Sequence, residues 1–294
     1  MKHLARAHWA NFLYRHTARR WHALWCRWSP TGELRDAFHA ERSFTPLDDE
    51  SGCEMAVAYH YEDERGTLCQ GPLCGPWRLT ESEHSCPDGV SHPASTAMTT
   101  LLLPGGPSAW CMKKSPPGAP CAAELFLHHG KSLRMSAGVV HAPDGSLQQL
   151  SLIREDARGA WPSKDWSLSR VAALSSPAGL QVALKDAGAP TSTIGAGYAI
   201  TAGLRQRPIT ATWAATRVGA AEEDDTVLLC AENRVAIVAT ARAEGRPFCS
   251  GVAWWPADAD AATLHTVQAA WDCSGALEEV RYVEFEEIPP KVDL

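Results

Sequence analysis

The chain has 294 residues, 45% of them hydrophobic, and a formal net charge of −7 at pH 7. The length favours two domains of ordinary size with packed cores, and the acidic balance argues against general nucleic-acid binding. Because no apolar run is long enough to span a membrane and no secretory signal is visible, we expect a soluble intracellular protein, either cytoplasmic or in a plastid.

The first predicted element is a short helix over residues 8–14. Trp9, Phe12 and Leu13 fall on one face of it at the spacing i, i+3, i+4, which is typical of a helix packed on a core. The alternative is a loose terminus that packs nowhere.

A tryptophan-rich strand follows, and it is the centre of the fold prediction. Trp21, Ala23, Trp25 and Arg27 alternate with residues that include Trp28, so the period of two predicts a β-strand. Both faces carry large apolar groups, which indicates that the strand is covered on both sides. A Pro-Thr-Gly turn then leads into a second strand expected over residues 33–44.

Alternation predicts more strands in the first half, over residues 55–61, 97–103, 108–113, 123–128, 131–141 and 147–155. The Asp144-Gly145 pair between the last two is a strong hairpin signal. Residues 68–93 are rich in Gly and Pro, and we interpret them as a loop with one short strand at 77–80.

The second half follows a similar pattern, with no long helical period. Strands are predicted over residues 167–174, 180–184, 198–204, 210–218, 226–231, 234–241, 251–255, 264–271 and 277–285. Residues 140–152 also align with residues 270–282, matching Gly145 with Gly275 and Leu147 with Leu277. This indicates a duplication with domains 1–157 and 158–294, although a common type of hairpin would give the same match by chance.

Three segments carry a family resemblance: residues 8–13, Trp21 with residues 27–34, and residues 133–155. They resemble an uncharacterised domain-of-unknown-function family of cyanobacteria, algae and plants, a photosynthetic lineage, built from two lipocalin-like barrels of the calycin superfamily. One departure is Ala23, where the family tends to carry Gly. The resemblance implies an all-β fold of two tandem lipocalin-like antiparallel up-and-down β-barrels with a short N-terminal helix. It implies no known activity.

A barrel of this kind can enclose a cup for a small ligand. Inward-facing aromatic and arginine side chains are the candidates for a ligand-binding lining: Trp25, Arg27, Tyr59, Tyr61, Arg134 and Arg154. Such a lining suits a flat apolar ligand that carries carboxylates, for example a bilin, a haem or a fatty acid. Alternatively, the aromatic side chains fill the barrel as core. Arg154 has its own structural alternative, which is to cover Trp21 by a cation–π contact, as the closing arginine of lipocalins does.

Metal and catalytic motifs are weak in this sequence. The ten cysteines are scattered without a CxxC pair, so we expect reduced thiols and no metal site. His128 and His129 are adjacent on a predicted strand and should point to opposite faces. Cys69 and Cys74 lie in the Gly/Pro-rich segment, where a thiol could bind a metal or attach a tetrapyrrole. No Gly-x-Ser-x-Gly motif is present, and Gly195-Ala196-Gly197 lacks the rest of a phosphate loop.

These patterns leave three functions open. The first is non-enzymatic binding of a small hydrophobic or tetrapyrrole-like ligand in the first barrel. The second is an accessory factor with chromophore-lyase or isomerase-type activity, and the third is a protein-interaction scaffold with filled barrels. An open aromatic cup with an arginine would favour ligand binding. A thiol or an acid at the mouth of the cup would favour the accessory factor. The sequence leaves the cofactor, the ligand and the oligomeric state undetermined.

Overall fold

The structure, a computed structural model, describes residues 2–17, 19–163, 171–174, 184–186, 194–213, 216, 225–230, 234–240, 247–256 and 263–286. The described chain is mostly antiparallel β-structure arranged in two sheets, preceded by helix α1 (Lys2–His16). This is the all-β architecture with an N-terminal helix that the sequence predicts. Among these residues, no helix is both long and apolar enough to cross a membrane.

The first sheet follows the chain up and down. Its strands are β1 (Arg19–Trp28), β2 (Leu34–Pro46), β3 (Gly52–Glu62), β4 (Leu68–Thr80), β5 (Ser85–Cys86), β6 (Gly89–His92), β7 (Ser95–Leu102), β8 (Ser108–Met112), β9 (Cys121–His129), β10 (Leu133–His141) and β11 (Leu147–Asp156). The hydrogen-bonded order is β4-β3-β2-β1-β11-β10-β9-β8-β7-β6-β5, so the first and last strands are neighbours. Helix α2 (Glu81–His84) links β4 to β5, and no ladder joins these two strands in the described chain.

The first sheet is curled around a core on its inner face. Leu79 of β4 and Val90 of β6 belong to the same buried cluster, although their strands lie near opposite ends of the ladder. Trp9 and Phe12 of α1 join this cluster, with the Phe12 ring 6.2 Å from the ring of Trp110. The helix therefore covers one end of the inner face, and the alternative of a loose terminus is wrong.

Strand β1 is covered on both sides, as its sequence predicts. Ala23 and Trp25 pack in the inner-face cluster. Leu24, Cys26 and Trp28 point the other way, into a second cluster that includes residues of the second sheet. The outer faces of the two sheets therefore share one core.

The second sheet shares part of the plan of the first. Its strands are β12 (Val171–Leu174), β13 (Ile194–Thr201), β14 (Gln206–Thr212), β15 (Asp225–Cys230), β16 (Val235–Thr240), β17 (Phe248–Trp254), β18 (Thr263–Trp271) and β19 (Leu277–Glu286). Their order is β12-β15-β16-β17-β18-β19-β13-β14. Strand β13 pairs with the last strand, β19, just as β1 pairs with β11.

The segment interpreted as a Gly/Pro-rich loop is mostly strand, so the loop interpretation is wrong, whereas the short strand predicted at 77–80 is confirmed as part of β4. Strand β4 covers residues 68–80 and pairs with β3 through two register shifts. It is the last strand of the ladder, so Pro72 and Pro76 remove N–H groups where a sheet tolerates their loss. Edge position and irregular pairing explain how a sequence with loop-like composition forms a strand.

Several predicted strand segments of the second half lie outside the described residues, namely 167–170, 180–183, 214–215, 217–218, 231 and 241. Residues 184–186 are helical, so the predicted strand end at Leu184 is wrong. The two aligned hairpins do share their turn bonds, Gly145 N to Ala142 O and Gly275 N to Asp272 O, both 2.9 Å. The first hairpin of the chain has the same bond, from Gly32 N to Ser29 O, so the turn is a recurrent type. The duplication, the closed barrels and the two domain ranges stay predictions.

Candidate functional site

Four charged side chains meet on the inner face of the first sheet and form what we term the charge network: Arg42, Glu124, Arg134 and Glu155. Arg134 and Glu155 are fully buried on adjacent strands and form a two-point ion pair, with Arg134 Nη2 at 2.8 Å from Glu155 Oε1. Arg42 lies 3.8 Å from the same carboxylate and donates to Glu124 Oε1 at 3.3 Å. Ser136 also donates to Glu124, at 2.9 Å.

The network keeps its charges although it is buried. Burial alone would raise the pKa of Glu155, but Arg134 and Arg42 outweigh it and hold this pKa below its ordinary value. Burial lowers the pKa of Arg134, and Glu155 opposes that change. Each charge of the network thus has an opposite charge in contact, which offsets the cost of its burial.

An arginine covers Trp21, but it is not the one that the sequence suggested. The guanidinium carbon of Arg134 lies 4.2 Å from the centre of the Trp21 ring. Arg154 pairs with Leu24 and Met135, which both face the shared core, so Arg154 lies on the opposite face of β11 from Glu155. The inward orientation expected for Arg154 is therefore wrong, as is its predicted contact with Trp21.

A cluster of aromatic rings lies at the other end of the inner face, and we term it the aromatic mouth: Trp25, Phe38, Tyr59 and Tyr61, with Arg27. The Trp25 and Phe38 rings are stacked at 5.8 Å, and Phe38 meets Tyr59 at 5.5 Å and Tyr61 at 5.6 Å. Phe38 is buried, whereas Tyr61 is 44% exposed. The cluster therefore has a buried floor and an exposed rim.

Arg27 is the charged member of the aromatic mouth. Its guanidinium carbon lies 4.7 Å from the centre of the Phe38 ring and 5.7 Å from that of Trp25. Asp36 is 3.7 Å away across the strand pair. The Nε of Arg27 is buried and has no hydrogen-bond partner among the residues that the structure describes. An unmet donor on a cation is energetically unfavourable, which singles out this group as a point where a ligand would be stabilising.

A thiol also belongs to this region. Cys74 of β4 packs against the inner-face cluster. Burial raises the pKa of Tyr59, and a hydrogen bond with Cys74 adds to that increase. The sequence placed Cys74 in a loop, whereas the structure places it on a strand beside the aromatic mouth.

Four of the six predicted ligand-binding residues thus come together, namely Trp25, Arg27, Tyr59 and Tyr61. Arg134 faces the same interior but is occupied in the charge network. The sequence missed Phe38 and Arg42, although both lie on the face of β2 set by alternation from Phe44. Glu124 and Glu155 could have been found in the same way. Ligand binding by any of these residues stays a prediction.

The histidine pair is divided between the two faces, as predicted. The His128 ring lies 6.3 Å from the ring of Trp21 on the inner face, and the His129 ring lies 6.0 Å from that of Trp254 in the second sheet. Within the described ranges, no group of three or more His, Cys, Asp or Glu side chains is placed to hold a metal ion.

The fold and this interior define a class of protein: an antiparallel up-and-down β-sheet with a helix over one end, followed by a second antiparallel sheet. The family model described as "Domain of unknown function (DUF3598), N-terminal" matches residues 5–160, and the chain belongs to the DUF3598 family. A search of curated proteins finds no match.

Two solved structures are similar to this chain to different degrees. A DUF3598 protein of unknown function from Nostoc punctiforme is 16% identical and superposes with a TM-score of 0.57, covering 96% of this chain and 99% of that one. An S-type phycobiliprotein lyase from Guillardia theta is 14% identical with a TM-score of 0.34, over 54% of this chain and 97% of that one. The first similarity supports the fold over the whole chain, and the second is too low to support more.

Proposed function

We propose that the protein binds, without chemical conversion, a flat apolar ligand that carries a carboxylate, such as a bilin or a haem, at the aromatic mouth of the first sheet. The observation that supports this is the buried Nε of Arg27 beside the stacked rings of Trp25 and Phe38, since no described residue forms a hydrogen bond with it. A ligand carboxylate would accept that bond, and the rings would stack on a flat apolar body.

The charge network favours a flat ligand over a fatty acid. A fatty-acid chain needs a deep apolar channel, and the depth of the first sheet is filled by Arg134, Glu155 and the ring of Phe126. A planar ligand needs only the stacked rings and the exposed rim at Tyr61. The proposed ligand therefore lies across the aromatic mouth and does not enter the interior that the curled sheet surrounds.

The test is an absorbance titration with biliverdin, a tetrapyrrole that carries two carboxylates. We expect Arg27→Gln to weaken binding about tenfold, because one charge-assisted hydrogen bond is lost. Trp25→Leu should weaken it further by removing the stacking surface. Arg20→Gln is the matched control, since it removes the same charge from the same strand at an exposed position. Equal affinity of the wild type and both mouth variants would refute the proposal.

A second measurement identifies the ligand class. Native mass spectrometry with an absorbance scan, on protein purified from its own cells, should show a co-purifying mass with a visible chromophore. A bare mass with only the tryptophan band would weaken this proposal and favour the filled scaffold.

Cys74 and Asp36 favour a second candidate, the chromophore-lyase or isomerase-type accessory factor, because a thiol and an acid lie at the mouth. If the thiol adds across a vinyl group of a bound chromophore, the protein mass rises by one intact chromophore. Cys74→Ser would abolish that adduct in a denaturing mass spectrum and leave reversible binding unchanged. Absence of any adduct in the wild type would remove the support that Cys74 gives to this candidate.

A further inference from the structure

The inner face of the second sheet lines a partly open cavity of about 400 Å³, which we term the second-sheet cavity. Ile209 of β14, Thr266 of β18 and Val283 of β19 form its walls, and Arg207 and Arg281 lie at one end. This volume is within the range of small-molecule sites, about 300–1,000 Å³. No motif of the sequence pointed to it.

The cavity exists because β13 contributes almost no side chain to it. Gly197 lies between Ile209 and Val283 in the strand register, and Ala199 lies between Arg207 and Arg281. A Cβ atom on Gly197 would stand 1.9 Å from the backbone oxygen of Tyr282, so the strands are too close for any larger residue there. The space is therefore a consequence of how closely β13 pairs with β19.

One end of the cavity is positively charged. Arg207 Nη2 lies 3.1 Å from Glu279 Oε2, and Arg281 contacts the same carboxylate through Nε and Nη2. Two guanidinium groups thus share one carboxylate, which leaves a net charge of about +1 on this triplet among the described residues. Each guanidinium has five N–H donors, so both can bind a further anion without releasing Glu279.

The rest of the lining is mixed, with apolar Ile209, Ala211 and Val283 beside the polar side chains of Thr210, Thr212, Thr216, Thr266 and Gln268. Ile209, Ala211 and Val283 belong to a buried cluster with Trp213 and Phe285, whose rings meet edge to face at 5.7 Å. The Thr266 hydroxyl already donates to the backbone oxygen of Val283 at 3.2 Å. A cavity with two guanidinium groups at one end and an apolar wall of Ile209, Ala211 and Val283 can accept an anion that carries an apolar body.

We propose that the second-sheet cavity is a second binding site, for a medium-chain monocarboxylate whose head group lies on Arg207 and Arg281. The ligand's apolar body packs against Ile209 and Val283. This site lies in the other sheet from the aromatic mouth and does not depend on it.

The test is isothermal titration of the full chain with decanoate and, as a neutral analogue, with decan-1-ol. We expect Arg281→Gln and Arg207→Gln each to weaken decanoate binding about tenfold, because each removes a charge-assisted contact to the carboxylate. Their affinity for decan-1-ol should not change. Ala211→Leu, which fills the space beside the apolar wall, should weaken both ligands. Arg205→Gln is the control, because it removes an exposed charge that does not line this cavity.

Methyl NMR of Ile209 reports where decanoate binds, whereas the titration reports only how tightly it binds. Decanoate should shift the Ile209 methyl resonance in the wild type and in Arg27→Gln. The proposal is overturned if Arg281→Gln binds decanoate as the wild type does, or if Arg27→Gln removes decanoate binding while the Ile209 resonance stays unshifted. The second result would place the carboxylate at the aromatic mouth and support the proposed function alone.

Discussion

Each of the two sheets holds a glutamate between two arginines, but at different depths. In the first sheet Glu155 lies between Arg134 and Arg42, and none of the three side chains is more than 8% exposed. In the second sheet Glu279 lies between arginines that are 55% and 41% exposed. The same chemistry is therefore buried core in one sheet and the rim of a cavity in the other.

The difference follows the strand that closes each sheet. Counting from the matched Leu147 and Leu277, the position of Glu155 in β11 corresponds to Phe285 in β19, and the position of Glu279 corresponds to Gln149. In the first sheet the charges lie in the buried interior and the aromatic rings lie at the open end. In the second sheet the aromatic rings lie in the buried interior and the charges lie at the exposed end of the cavity. Two sheets that share part of their plan can therefore present opposite binding chemistry.

Removal of the buried glutamate should produce the largest effect. Glu155→Ala leaves Arg134 and Arg42 buried beside each other without their shared partner. We expect it to lower the free energy of unfolding by about 3–5 kcal/mol, measured by urea denaturation. A loss below about 1 kcal/mol would show that water or a rearranged acid compensates the arginines, and would contradict the description of the network as a buried, mutually compensated set of charges.

The glycines of the two inner faces provide a matched pair of probes. Gly197→Ala would place a Cβ atom against the Tyr282 backbone, and we expect a loss of about 3 kcal/mol from the resulting overpacking. Gly138→Ala meets only the Ser151 side chain, at 3.2 Å, so its effect should stay within about 1 kcal/mol. Thermal unfolding of both variants tests this order, and equal losses would contradict the close approach of β13 to β19.

Buried histidines give the first half a dependence on pH. Burial, aided by Arg134, lowers the pKa of His16 to about 3, and burial, aided by Arg42, lowers that of His92 to about 4. Both imidazoles stay neutral in the fold, whereas the unfolded chain protonates them near pH 6.5. Below that pH the unfolded state binds more protons, so stability should fall by about 1.4 kcal/mol per pH unit for each histidine.

Urea denaturation at pH 7, 6 and 5 measures this slope. His16→Phe keeps an aromatic ring against Phe12 and Phe44. It should reduce the dependence of the unfolding free energy on pH by about 1.4 kcal/mol per pH unit, the contribution of one histidine. An unchanged slope in the variant would mean that His16 is protonated in the folded state.

The smallest effect is expected from the exposed counterpart of Glu155. Glu279→Ala removes an acid whose two arginine partners are largely solvated, so the loss of stability should be below about 1 kcal/mol. The same variant frees both guanidinium groups, and decanoate should bind to it at least as tightly as to the wild type. A loss of stability comparable to that of Glu155→Ala would remove the contrast between the two sheets.

The local pattern of the sequence predicted much of the fold. Alternation along β1 showed that Trp25 and Trp28 lie on opposite covered faces, and the spacing of Trp9 and Phe12 predicted the helix. It also brought Arg27 and Tyr59 into the same candidate site. These predictions depend only on the strand period of two residues and the helix period of 3.6 residues, and both are visible in residues close together in the sequence.

Contacts between strands required the tertiary structure. The register of β11 against β1 and β10 turns Glu155 inward and its neighbour Arg154 outward. For this reason Arg134, and not Arg154, covers Trp21. The second-sheet cavity likewise depends on Gly197 lying beside Val283, a pairing between residues far apart in the chain. Alternation within one strand determines which side chains share a side of that strand. Only pairing with strands distant in the sequence determines which residues those side chains contact.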